Sequence, residues 1–189
     1  MSIHQRKSLS IVFTIIALIG FALIGVTAWY FLQANQFSTY KDDEFGFSLK
    51  YPTSWTATPH INGTNVAFYS PLENALDVFK ENVNIVVQDM SAQRTIPDLN
   101  QYTSIAINQM KVVFKKNFVL IESKPVFLSG MPAHQIIFIG KGPEMDLKFK
   151  IIWTLKAKRA YQFTYGAVAS QYDKYIGKVD AMIRTFRVP

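Results

Sequence analysis

The sequence predicts an α+β domain built on a largely antiparallel sheet, preceded by one N-terminal transmembrane helix. Three observations predict it. Residues 9–32 carry no charge. Beyond them, runs of alternating apolar and polar residues recur in series, the period of strands with one buried face. Two stretches, residues 98–116 and 172–186, instead repeat apolar residues every three and four positions, as amphipathic helices do. Strands grouped in series, with one helix between the groups and one at the end, give α+β rather than the alternation of a parallel sheet.

At about 1.5 Å per residue, residues 9–32 make a helix of roughly 36 Å, enough to cross an apolar layer of about 30 Å. Arg6 and Lys7 precede it, so the positive-inside rule puts residues 1–8 in the cytoplasm and the rest outside. Trp29 and Tyr30 sit near its far end, at headgroup level. A cleaved signal peptide is the competing reading: Val26-Thr27-Ala28 is a candidate cleavage triplet, although the apolar run is long for a signal and Trp29 follows directly. Gly20 and Gly25 are five apart and so lack the four-residue spacing of helix-dimer seams.

Residues 33–39 read as a tether and residues 40–189 as the extracytoplasmic domain. Phe45, Phe47, Leu49 and Tyr51 alternate with polar residues until Pro52, which cannot donate to a ladder, and Trp55 follows as a core cap. Asn62-Gly63 signals a hairpin turn, since both of its residues tolerate positive φ. Asn62-Gly63-Thr64 is also a glycosylation sequon. Strands are expected over 66–69 and 83–87, with the stretch 72–80 open between a helical turn and a loop. Asp98 is the expected N-cap of a helix whose buried face holds Leu99, Tyr102, Ala106, Met110 and Val113, with Phe114 beside them. Lys111, Lys115 and Lys116 crowd its C-terminal turns, where cations suit the dipole. Strands are then expected over 118–122, 125–128, 134–139, 147–155 and 161–165. A closing helix presents Tyr172, Tyr175, Ile176, Val179, Met182, Ile183 and Phe186 on one face.

Composition excludes several function classes. The chain has no cysteine, which removes disulfides, thiolate metal sites, cysteine nucleophiles and a lipidated N-terminal cysteine. Net charge is +7, of which Arg6 and Lys7 carry two, leaving the domain mildly basic. That balance suits acidic partners or anionic lipid. No basic run interleaved with aromatics points to nucleic acid. His4, His60 and His134 form no metal-binding spacing. There is no nucleophile elbow and no phosphate-cradling glycine loop. Asp42-Asp43-Glu44 lacks calcium-loop spacing and reads as a solvated tether end. No cofactor is expected. The best lead is a basic group, Lys148, Lys150, Lys156, Lys158 and Arg159, with the three strand lysines on one face. It is either a patch for acidic lipid or a protein partner, or a sheet edge that lysines protect from aggregation.

Four local motifs occur in order along the domain: Glu44-Phe45-Gly46-Phe47 leading into Tyr51-Pro52-Thr53-Ser54-Trp55, the Asn82-Val83-Asn84-Ile85-Val86-Val87 strand, the Ser129-Gly130-Met131-Pro132-Ala133 turn, and an ending in Met182-Ile183-Arg184-Thr185-Phe186. Together they resemble the PsbP family. The resemblance spans residues 40–188. It implies a PsbP-like α/β/α sandwich, a fold shared with Mog-type import factors. Photosynthetic members are extrinsic subunits or assembly factors of photosystem II. This sequence carries a membrane anchor instead of a transit peptide or lipidated cysteine, and no residue pattern for calcium or chloride retention. The expectation is therefore a membrane-tethered, non-enzymatic binding or assembly factor for another membrane or exported protein. The alternative is a small-ligand or ion-binding accessory protein, with a photosystem II-associated role in a photosynthetic host.

Overall fold

The computed structural model describes residues 36–189. The expected cytoplasmic head, membrane helix and first tether residues lie outside the described residues. In chain order the elements are β1 (Phe37–Lys41), β2 (Ser48–Pro52), β3 (Thr56–Pro59), β4 (Val66–Tyr69), β5 (Asn82–Asp89), α1 (Leu99–Phe114), a 3₁₀ turn (Lys115–Asn117), β6 (Phe118–Leu128), β7 (Met131–Gly140), β8 (Leu147–Lys156), β9 (Arg159–Val168) and α2 (Tyr172–Thr185). β1 and β2 pair as a separate hairpin, and the other strands form one seven-stranded antiparallel sheet in the order β3-β4-β5-β9-β8-β7-β6. Among the described residues no helix is long and apolar enough to cross a membrane.

Turn chemistry sets this order. Ser129 (φ 54°) and Gly130 (φ 74°), and Ala157 (φ 50°) and Lys158 (φ 62°), make two-residue hairpin turns with both centres at positive φ, the twist that antiparallel strands require. Asn62 (φ 51°) and Gly63 (φ 77°) turn the β3–β4 connection as expected, and the Thr64 amide donates to the Ile61 carbonyl there at 2.9 Å. Asp98 caps α1 with a reciprocal box: its carboxylate accepts from the Gln101 amide at 2.8 Å, while the Gln101 side chain accepts from the Asp98 amide at 3.0 Å.

The sheet is covered on both faces. One face packs against α2 and the β1–β2 hairpin around Phe47, Leu49, Phe68, Ile85, Phe163 and Phe186. The other packs against α1 around Ile136, Phe138, Ile151 and Trp153. The two-residue period sends Ile151 and Trp153 to one core and Ile152 to the other. Trp153 Nε1 donates to Thr103 Oγ1 at 2.9 Å, fastening α1 to the sheet.

Three local expectations are corrected. β1 begins at Phe37, within the stretch read as tether, because its ladder partner lies in β2: Phe37 pairs with Pro52 and Lys41 with Ser48. The two strands expected over 118–128 are one strand, β6, with a bulge between Leu120 and Glu122 that absorbs the change of face. On α1, Phe114 packs into the core while Val113 is 71% exposed. Residues 72–80 form no helix or strand.

One cross-strand row, Thr56–Tyr69–Asn82–Gly166–Phe149–Phe138–Leu120, marks one end of the sheet. Phe37 lies at this end, since it pairs with Pro52, whose carbonyl accepts from Trp55 just before β3. The loop 70–81, the end of α1, the loop 141–146 and the start of α2 converge there as well. The hairpin turns and the C-terminus gather at the opposite end, where the Val188 amide donates to Ser129 Oγ at 3.0 Å.

Candidate functional site

The five basic residues singled out in the sequence fall into two groups. Lys148 and Lys150 project from β8 onto α2. Lys150 Nζ donates to Asp180 Oδ1 at 2.8 Å with its side chain 12% exposed. Lys148 Nζ lies 3.8 Å from Asp173 and 4.0 Å from the centroid of the Tyr172 ring. Both cations are thus engaged by the helix that covers them. Lys156, Lys158 and Arg159 sit at the far end of the same hairpin, with Lys156 and Lys158 exposed and Arg159 over the Phe45 ring at 5.2 Å. From Lys150 to Lys156 an extended strand spans about 20 Å, so the groups are separate surfaces.

Asp42 is buried and acts in the hairpin turn: its carboxylate accepts from the Phe45 amide at 2.7 Å. Asp43 and Glu44 are exposed. Among the described residues no cluster of His, Asp and Glu could hold a metal ion. His60 lies in the β3–β4 turn and His134 on β7. The His134 ring stacks on Trp153 at 5.8 Å between centroids, and its Nε2 lies 2.8 Å from Ser123 Oγ. Burial holds the His134 pKa below its ordinary value. The unfolded ring, titrating near pH 6.5, therefore takes up a proton more readily than the folded one. The stability that neutral His134 contributes is present above about pH 6.5 and is lost as pH falls below that value. The melting temperature is expected to drop between pH 7.5 and 5.5, and to drop less in His134→Gln. Equal drops in the two proteins would assign the loss to other groups.

A surface that the sequence pattern did not single out lies on the outer side of α1. From Leu99 to Met110 the helix carries no charge. Its solvent side presents Asn100, Gln101, Ser104, Asn108 and Gln109 around Ile105, which is 50% exposed. Two shallow hollows of about 470 and 600 Å³ flank the helix, and Ile105 lines both. Solvated helix faces ordinarily carry charges, whereas the core of a recognition surface is depleted in them. The only signal available in the sequence was this absence of charge, which has no motif.

On the other face of the domain, Tyr175 Oη donates to Glu73 Oε1 at 3.1 Å, and Glu73 also pairs with Lys174. The bond from Lys174 is the first cause holding the Glu73 carboxyl below its ordinary pKa, and burial first, then the Glu73 bond, raises Tyr175 to about 12. These contacts tie the loop 70–81 to the start of α2.

A twisted seven-stranded antiparallel sheet, with a helix on one face and a helix plus hairpin on the other, defines a PsbP-type α+β domain. The chain belongs to the PsbP family, whose family model matches residues 35–188. The cyanobacterial PsbP, CyanoP, of Synechocystis sp. PCC 6803 is similar in structure: TM-score 0.60 at 18% identity, covering 81% of this chain and 92% of that one. LpqN of Mycobacterium tuberculosis, described as involved in cell envelope biogenesis, gives TM-score 0.58 at 12% identity, covering 82% and 91%. A protein from Bacteroides thetaiotaomicron gives TM-score 0.52 at 13% identity, covering 80% of this chain and 48% of its own. At these identities the likeness is one of fold. A search of the curated proteins returned no match.

Proposed function

We propose that this chain is a membrane-tethered, extracytoplasmic PsbP domain that acts without catalysis, binding or helping to assemble another membrane or exported protein. The outer face of α1 carries this reading: an exposed, uncharged helix surface centred on Ile105, on a domain that follows the uncharged stretch 9–32 within a few residues. Lys156, Lys158 and Arg159 supply a second, basic surface at the opposite end from Phe37, where an acidic protein partner could reach them. The test is a pull-down from membranes with tagged full-length chain, set against an anchor-only control. The expected result is a protein retained by the full chain and lost with Ile105→Glu, which leaves both cores intact. No enrichment over the anchor-only control contradicts the proposal.

A second reading, a small-ligand carrier, draws on the polar half of the α1-side sheet face. There Asn84 Nδ2 donates to Asn82 Oδ1 at 2.8 Å and Gln162 Nε2 to Thr164 Oγ1 at 3.1 Å. Native mass spectrometry of the purified chain separates the two, since a carrier shows a discrete bound mass that Asn84→Ala removes.

A further inference from the structure

The exposed apolar side chains of the domain are gathered at one end. Among the described large hydrophobics that are exposed, only Ile105 and Phe127 lie away from the end of the sheet where the chain enters at Phe37. Leu76 and Val78 stand out of the loop 70–81 at 89% and 81% exposure. Val112 and Val113 lie in the last turn of α1, Leu120 borders the bulge near the start of β6, and Ile121 is the bulged residue. These belong to two separate connections, the β4–β5 loop and the α1–β6 corner, and it is the sheet topology that brings them to one end.

The same end carries unpaired positive charge. Lys111, Lys115, Lys116 and Lys141 are exposed, and none of them is in an ion pair among the described residues. The 3₁₀ turn and the β7–β8 loop are tied together by the Lys141 amide, which donates to the Asn117 carbonyl at 3.0 Å, so the lysines form one group. Glu144 and Asp146 share the Lys141 loop, with Asp146 accepting from the Gly142 amide. In the loop 70–81 Glu73 is paired with Lys174, Asp77 accepts from the Glu73 and Phe79 amides, and Glu81 is buried against Ser70. This free positive charge therefore belongs to the α1–β6 corner, and the loop contributes its apolar side chains. Aliphatic side chains interspersed with lysines are the chemistry of a surface that settles into the headgroup layer, the apolar groups entering and the ammonium groups meeting phosphate.

The length of chain ahead of the domain selects the occupant. From Leu32, the last residue of the uncharged stretch, to Phe37 the backbone can reach at most about 17 Å. A domain held on so short a leash meets the bilayer with the end that bears Phe37. We infer that this end docks on an anionic lipid surface, with the loop 70–81 and the α1–β6 corner as two contact points. Tethering and docking act together: the leash holds the lipid contact at high effective concentration, and the contact orients the outer face of α1 sideways, along the membrane. The inference rests on the proposed tether and adds an orientation to it.

The chain lacks cysteine, so single labels are clean. Full-length chain with Val78→Cys, Val113→Cys or Phe127→Cys, each carrying an environment-sensitive fluorophore, is reconstituted into vesicles of phosphatidylcholine and phosphatidylglycerol. Flotation after a carbonate wash reports the tether. The expected result is flotation, with a severalfold rise in emission at positions 78 and 113 that lipid-borne nitroxide quenches, and no rise at position 127. Lys111→Glu with Lys116→Glu is expected to reverse the rise at position 113. Flotation with positions 78 and 113 as water-exposed as position 127 overturns the docking and leaves the tether standing. Loss of the chain in the carbonate wash overturns both.

Discussion

Trp153→Ala is expected to cost about 3–5 kcal/mol of unfolding free energy, the range for removing a large aromatic from a packed core. Trp153 is fully buried, and it is the centre of the core between α1 and the sheet. Its ring meets Tyr102 at 6.3 Å between centroids and His134 at 5.8 Å. The truncation opens a cavity and also strands the Thr103 hydroxyl, which lies buried against the indole. Thr103→Val probes the hydrogen bond separately: it keeps the volume but orphans Nε1, at an expected cost of about 1–3 kcal/mol. Urea unfolding of residues 36–189, followed by far-ultraviolet circular dichroism, measures both. A loss under 1 kcal/mol for Trp153→Ala would show that α1 is held elsewhere, and with it the face proposed for recognition.

Gly140→Ala is expected to cost about 1–3 kcal/mol through overpacking. A β-carbon there would lie 2.4 Å from Phe114 Cε1 and 2.8 Å from its Cδ1. The Phe114 ring cannot swing aside, because it is wedged against Phe138 and Phe149, which stack on each other at 4.9 Å. The reason is therefore one of space rather than backbone freedom. Phe114→Leu in the Gly140→Ala background is expected to recover stability, so that the two substitutions are strongly non-additive. Costs that simply add would mean that the two sites relax independently. The pair also fixes the end of α1 over β7, and so sets where Val112 and Val113 emerge.

The central hairpin was legible because β8 and β9 alternate over most of their length and the turn between them is short. Asp98 and the three-four spacing behind it announced α1. What escaped was whatever depends on a partner far along the chain. β1 has little alternation of its own and exists because β2 returns across the turn to pair with it. The polar run Glu122-Ser123-Lys124 reads as a break, yet the bulge keeps β6 in register with β7 through it. The lysines of β8 look like a solvent face in the sequence. Alternation alone cannot distinguish such a face from one covered by a helix carrying Asp173 and Asp180. The candidate surfaces were the least legible, because neither an uncharged helix exterior nor a set of exposed aliphatics from two distant connections forms a local pattern. Only the register across the seven strands places those connections at one end.

Protease digestion of right-side-out membranes from cells making the full-length chain, compared with cells making residues 36–189, tests the central claim most directly. A membrane-tethered extracytoplasmic domain predicts a full-length chain that stays with the membrane through a carbonate wash and is cut back to a short protected fragment without opening the membrane, while residues 36–189 do not sediment with it. A full-length chain that resists the protease until the membrane is opened, or that washes off, contradicts the account.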